Sequence, residues 1–275
     1  MINYCYDTGM VTSASTRQPA ARRATPRAGP GRPRKAAPGA EGVAALGKER
    51  ILHAALAQID AQGLAAFNIR DLATALGVAP AAVYWHVPNR GALVSGAIAI
   101  ALADVARELT GGSWQARLRA LLQRFRAALR RHPQLAPAIA NELVYNAAFD
   151  APLIEHVLAA LEDAGFADAA LVDAFNVVIA AMCGFATLEL SVAPPGAEPG
   201  WEAACRAQIA AVDPERYPRL GANVAALRNR AFLLRWSSGK DAPLASGFDA
   251  WIDVVLCGLA SRSRALKATA RSFRR

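Results

Sequence analysis

Histidine and cysteine are scarce in this 275-residue chain, with four of each. Cys5, Cys183, Cys205 and Cys257 lie far apart in a pattern that fits neither a metal site nor a disulfide framework. Cys183 and Cys257 fall inside apolar helical runs, where cysteine acts as a small hydrophobe. His53, His86, His132 and His156 are scattered, and the chain has no HExxH, no GxSxG and no glycine-rich phosphate loop. The patterns that metal, nucleophilic or phosphoryl chemistry require are therefore missing. No catalytic residue, metal ligand, cofactor or enzyme activity is expected. Aromatics are only 7% of the chain and β-branched residues are few, so strands have little to build on. No apolar run reaches the ~18 residues of a membrane span without interruption. The N-terminus lacks the apolar core of a signal peptide. These absences predict a cytoplasmic protein with no membrane partner.

Acid is also scarce at both ends. Residues 1–45 carry Arg17, Arg22, Arg23, Arg27, Arg32, Arg34 and Lys35 against Asp7 and Glu41. The C-terminal stretch carries Arg262, Arg264, Lys267, Arg271, Arg274 and Arg275 with no acid. The formal charge of +9 is thus concentrated in the ends, which favours an anionic partner.

What the chain has in abundance is alanine, leucine and other apolar residues, 54% in all, a composition that favours helices. The expected fold is all-α: an N-terminal three-helix helix-turn-helix domain followed by a larger helical bundle. Residues 1–45, rich in Ala, Pro, Gly, Arg and Ser, read as a disordered basic arm. Residues 46–92 read as the helix-turn-helix domain, 93–265 as the larger helical domain, and 266–275 as a basic tail. Helices are expected at about 90–109, 113–131, 134–147, 150–164, 168–192, 200–211, 219–235 and 246–265, with breaks at Pro133, Gly165, Pro194-Pro195-Gly196, Pro214, Pro218 and Gly239.

The sharpest local signal lies between Asn68 and Pro88. Asn68 is a good N-cap for a helix over Ile69–Leu76, and Gly77 permits the left-handed backbone of a tight turn. Pro80 opens a second short helix and Pro88 stops it. Leu72, Ala73, Leu76, Val78 and Val83 would pack the two helices on Ile51, Leu52, Ala55 and Leu56. Ala81, Ala82, Tyr84, Trp85 and His86 are left with faces free for a DNA major groove.

Lys48 to Leu93 resembles the tetracycline repressor (TetR) family of regulators. The carrying residues are Glu49 to Leu56, Gly63, Ile69-Arg70-Asp71-Leu72-Ala73, Leu76-Gly77-Val78, Val83-Tyr84-Trp85-His86-Val87, Asn89 and Ala92-Leu93. A looser likeness continues through Ser113-Trp114-Gln115, Phe125-Arg126, Asp213 to Pro218, and Phe248 to Leu259. The resemblance implies a homodimeric, ligand-responsive regulator, a repressor by expectation. It would bind a palindromic double-stranded DNA operator and be released by a small-molecule effector. By the same resemblance Arg70 would read guanine, Pro80, Ala81 and Ala82 would meet the groove floor, Tyr84, Trp85 and His86 would touch phosphates or bases, and Arg90 would hold a phosphate. Gly31-Arg32-Pro33-Arg34-Lys35 resembles the core of an AT-hook. Arg32, Arg34 and Lys35 are then either a minor-groove arm or a solvated linker. A ligand-independent architectural DNA binder that relies on this arm is the alternative function.

In the resembled family the larger domain dimerises and binds the inducer. Phe175, Met182, Ile252, Val255, Leu256 and Leu259 are the expected dimer face, although an apolar stripe is more often core than interface. Phe125, Asn141, Tyr145, Asn176, Phe185 and Thr187 are the expected pocket lining. Where tetracycline-binding members of the family carry drug- and metal-binding His and Asn, this chain has Ala106, Leu121 and Ile139. A largely apolar effector is expected in place of a tetracycline–Mg²⁺ complex. The arginines of 117–131 (Arg117, Arg119, Arg124, Arg126, Arg130 and Arg131) have no acid among them and read as a solvated helix face.

Overall fold

The computed structural model describes residues 46–272 apart from 108, 110, 140–149, 192–197 and 238. The basic arm with Arg32, Arg34 and Lys35, and the pocket candidates Asn141 and Tyr145, lie outside the described residues. From Ala45 onward the chain is one compact unit by its contacts. All regular structure among the described residues is helical.

The first three helices are set by local chemistry. Helix α1 (Lys48–Gln62) buries Ile51, Leu52, Ala55, Leu56 and Ile59, the apolar positions recurring at helical spacing. Helix α2 (Ile69–Leu76) starts where the Asn68 side chain accepts the Asp71 N–H at 2.9 Å. It stops at Gly77, whose φ of 69° and ψ of 30° are left-handed. Helix α3 (Pro80–His86) has proline in its first turn and buries only Val83. Both bounds agree with the sequence reading. Helix α4 (Arg90–Leu102) is capped by Asn89, which accepts the Ala92 N–H at 2.8 Å. It packs most extensively on α1. The approach is close at Gly96, where a Cβ would overlap the Leu52 side chain.

The bundle behind consists of α5 (Trp114–Arg131), a 3₁₀ turn (Pro133–Leu135), α6 (Ala151–Ala164), α7 (Asp168–Glu189), α8 (Trp201–Ala210), α9 (Pro218–Leu227) and α10 (Ala245–Ser272). Helices α5, α6, α7 and α10 pack on one another around Leu118, Leu121, Phe125, Val157, Leu161, Val178 and Ile252. Helices α8 and α9 bury no residue. They stand outside the core.

Several expectations are corrected. The helix opened by Arg90 ends at Leu102, not near Leu109, because the chain turns inward there and buries Val105, Ala106 and Leu109. The helix expected over 219–235 ends at Leu227. Asn229 then turns left-handed with φ 56°, and its Oδ1 accepts the N–H groups of Trp236 and Ser237. By length and composition α7 would suffice to cross a membrane, although Asp173 interrupts its apolar run. It instead buries Ala174, Val178, Ala181, Met182, Phe185 and Ala186, as a core helix does. Cys257 is exposed, not packed. Cys183 is partly buried, and burial pushes its thiol pKa up to about 11, so it stays protonated.

Five of the six arginines of helix α5 are tied to other segments, and only Arg131 keeps the solvated character expected of this face. Arg117 pairs with Asp163 on α6 and Arg119 with Asp253 on α10, while Arg124 donates to the Arg107 carbonyl. Arg126 grips Glu189 at the end of α7 with two N–H donors, at 2.6 and 2.5 Å. The acids that match these arginines come from distant segments of the chain.

Candidate nucleic-acid interface

The α2–Gly77–α3 unit is small, and that decides what it shows to solvent. Leu72, Ala73, Val83 and Val87 are buried in the core, and α2 packs on α1. The rest of α3 faces outward. Trp85 is 89% exposed and Tyr84 49% exposed. Pro80, Ala81 and His86 are exposed, Ala82 is half-buried, and Arg70 is exposed near the start of α2. The structure therefore leaves Arg70 and the outward residues of α3 uncovered together on one small unit. Arg70 has no side-chain bond among the described residues, and Thr74 Oγ donates only to its backbone carbonyl, at 3.0 Å.

Arg90 is engaged within the chain. Its Nη2 donates to the Leu64 carbonyl at 2.6 Å and its Nε to the Phe67 carbonyl at 3.2 Å. Its guanidinium lies 5.6 Å from the Phe67 ring centroid. The side chain fastens the α1–α2 loop to the start of α4 through Nε and Nη2 while the residue stays exposed. The fork geometry of a guanidinium suits two carbonyls as well as a phosphate, so residue type alone did not distinguish the roles.

The expected dimer face is corrected by burial. Met182, Ile252, Val255, Leu256 and Leu259 lie in the core of the single chain, and Phe175 packs partly against it. The exposed apolar residues are one stripe over on the same two helices: Val177 and Leu188 on α7, Trp251 and Val254 on α10. An apolar groove of about 440 Å³ opens there, with Val177, Gly184, Phe185, Leu188, Phe232 and Trp251 in its lining. The outward positions 177, 184 and 188 repeat with helical spacing just as the buried ones do. Periodicity alone could not separate the two stripes.

Among the described residues, the expected pocket lining does not come together as one site. Phe185 lines the apolar groove, while Phe125 is fully buried in the core. Asn176 lines a separate shallow groove with Asp173 and Arg262. Thr187 Oγ donates to its own helix, to the Cys183 carbonyl at 2.7 Å. Ala106, Leu121 and Ile139 are buried and apolar.

Glu189, a polar residue among apolar neighbours, stands out in the sequence as a pocket candidate, but its partners make it an electrostatic centre instead. Glu189 is a wholly buried carboxylate that accepts from Arg126, from the Leu244 N–H at 2.8 Å, and weakly from Arg130 at 3.5 Å. Burial alone would push its pKa up. The Arg126 hydrogen bonds, the Leu244 N–H and the charges of Arg126 and Arg130 outweigh it and hold the carboxyl below its ordinary range. The only hint in the sequence was one acid near the end of an apolar helix.

A capped turn that offers a short aromatic helix, set before a larger helical body, defines the class of helix-turn-helix DNA-binding regulators. Two family models match the chain: the tetR family of bacterial regulatory proteins over residues 51–97, and the tetracyclin repressor-like C-terminal domain over residues 108–233. The chain belongs to the TetR family of transcriptional regulators. It is 36% identical over 93 residues to the class D tetracycline repressor protein of Escherichia coli, covering 33% of this chain and 43% of that protein. It is 30% identical over 149 residues to an HTH-type transcriptional repressor of Streptomyces coeruleorubidus, covering 52% and 53% of the two. The chain thus spans about half the length of these curated relatives. A possible TetR family regulator from Streptomyces coelicolor shares the fold, with a TM-score of 0.60 at 24% identity over 78% of this chain and 98% of that one.

Proposed function

We propose that the protein is a cytoplasmic, homodimeric transcriptional repressor that binds a palindromic operator through α2 and α3 and releases it when a small, largely apolar effector binds. The observation that carries the DNA-binding part is Trp85, 89% exposed on a seven-residue helix beside an exposed Tyr84. An indole so placed contributes nothing to the core, whereas an amphipathic ring suits a groove wall of sugar and phosphate. Arg70 reads guanine through its two-pronged guanidinium, and Pro80, Ala81 and Ala82 meet thymine methyl groups. Tyr84, Trp85 and His86 fix the register on the backbone. Arg90 acts indirectly, by holding α4 to the reader.

One reader helix makes few base contacts, and pairing two on one operator supplies the rest. The uncovered Val177, Leu188, Trp251 and Val254 support pairing through α7 and α10. The apolar groove opens on that same face, so an effector seated in it alters how two subunits meet. That shifts the population toward a reader spacing that misfits the operator.

Selection of binding sites from a random DNA library, with wild type and Arg70→Ala, tests the reading. The expected result is a palindromic consensus for the wild type and relaxed specificity at one position per half-site in the variant. A wild type without a consensus, bound equally well by the variant, would overturn it in favour of non-specific attraction.

A further inference from the structure

A second groove, of about 460 Å³, opens between α5 and the first turns of α10, with Gln123, Arg126, Arg130, Arg131, Phe248 and Asp249 in its lining. Its charge is unbalanced. Arg126 and Arg130 already share one carboxylate, Glu189, which is fully buried and also takes the Leu244 N–H. Arg130 directs Nη1 to the Gly239 carbonyl at 2.9 Å. Arg131, the next residue along α5, is exposed and makes no ion pair with any described residue. Asp249 is the one acid in the lining. Three guanidinium groups therefore face a groove with a single acid in its lining, while the other nearby acid, Glu189, is buried and already shared.

The neighbourhood registers the crowding. Burial lowers the pKa of Arg235, and the positive charge of Arg130 lowers it further against the opposing pull of Glu189. Arg126 lies over the Phe248 ring at 4.6 Å from its centroid, so an apolar wall adjoins the cations. Guanidinium forks match the paired oxygens of a carboxylate or phosphate, and a partly desolvated site strengthens such contacts.

We propose that this groove binds a small ligand through a carboxylate or phosphate group held by Arg130 and Arg131. The site is separate from the apolar groove between α7 and α10 and does not depend on the function proposed for that groove. Arg126 is already committed to Glu189 and forms the floor. Arg131 is the residue with a whole guanidinium to offer. Asp249 opposes the guest.

Titration calorimetry on the purified full chain tests this with three probes: benzoate, inorganic phosphate and the uncharged benzyl alcohol. Saturable binding of benzoate or phosphate is expected, and the tighter of the two identifies the headgroup. Benzyl alcohol should not bind. Arg131→Ala should weaken binding about tenfold or more, the usual effect of losing a charged hydrogen bond. Arg131→Glu should abolish it, Asp249→Asn should tighten it, and added salt should weaken it. Both positions are exposed, and unchanged helical circular dichroism would exclude misfolding as the cause. The proposal fails if neither oxyanion binds, if benzyl alcohol binds as well as benzoate, or if the Arg131 variants bind like the wild type.

Discussion

The reader unit and the bundle solve opposite problems. Helices α2 and α3 bury three residues between them, Leu72, Ala73 and Val83, and present nearly everything else to solvent. They keep their shape through short-range devices: the Asn68 cap, the left-handed Gly77 and the Pro80 start. The bundle of α5, α6, α7 and α10 buries long stripes of apolar side chain and encloses a charged centre, Glu189 with Arg126 and Arg130. Its ties cross the chain, as Arg119 to Asp253 and Ser263 Oγ to the Ala164 carbonyl show. A surface that must meet another molecule stays rigid through its caps. A body that must hold together relies on partners far away in sequence.

Substitutions can break this contrast. The largest effect is expected from Glu189→Ala, which strands two guanidinium groups at a buried centre. Breaking one side of a buried ion pair costs about 3–5 kcal/mol, and denaturant unfolding would register the loss. Trp85→Ala is the matched control. It should leave stability within about 0.5 kcal/mol, as surface substitutions do, while operator affinity falls. If Trp85→Ala unfolds the chain, the reader is not the independent surface described above.

Next in size is a charge on the uncovered face. Leu188→Glu is expected to convert a dimer to a monomer in sedimentation at unchanged helix content, because it sets an unpaired carboxylate into an apolar contact. A dimer that survives this substitution would move pairing away from α7 and α10.

Acid should act on the bundle before the reader. The folded pKa of Glu189 is held below its unfolded value, so its contribution is complete above the unfolded pKa. It is lost as the pH falls through the ordinary carboxylate range toward the lower folded value. Thermal melts from neutral to acidic pH should show that drop, and Glu189→Gln should flatten it. The smallest effect is expected at the reader's own cap. Asn68→Ala should cost about 1 kcal/mol, measurable by denaturant unfolding, with no change in oligomeric state.

The helix-turn-helix was legible to the residue because its signals are local. Asn68, Gly77, Pro80 and Pro88 act within a turn of where they stand, so α2 and α3 begin and end where those residues require. The larger body was legible as helices but not as surfaces. Leu256 and Leu259 share α10 with Trp251 and Val254, and both pairs fit an apolar stripe. Only packing against α5 and α7 shows which pair is inside. Arg90 reads as a phosphate ligand, and only the fold brings the Leu64 and Phe67 carbonyls beside it.

The sequence by itself determined the all-helical class, the reader and its exposed aromatic residues, because capping and backbone preference operate between neighbours. Only the tertiary structure decided which stripe of α7 and α10 stays uncovered, that α5's arginines tie the bundle together, and that Glu189 sits at a buried charged centre. The ion pairs of Arg117, Arg126 and Arg119 join residues 46 to 134 apart, and no local preference encodes which distant side chain will meet which.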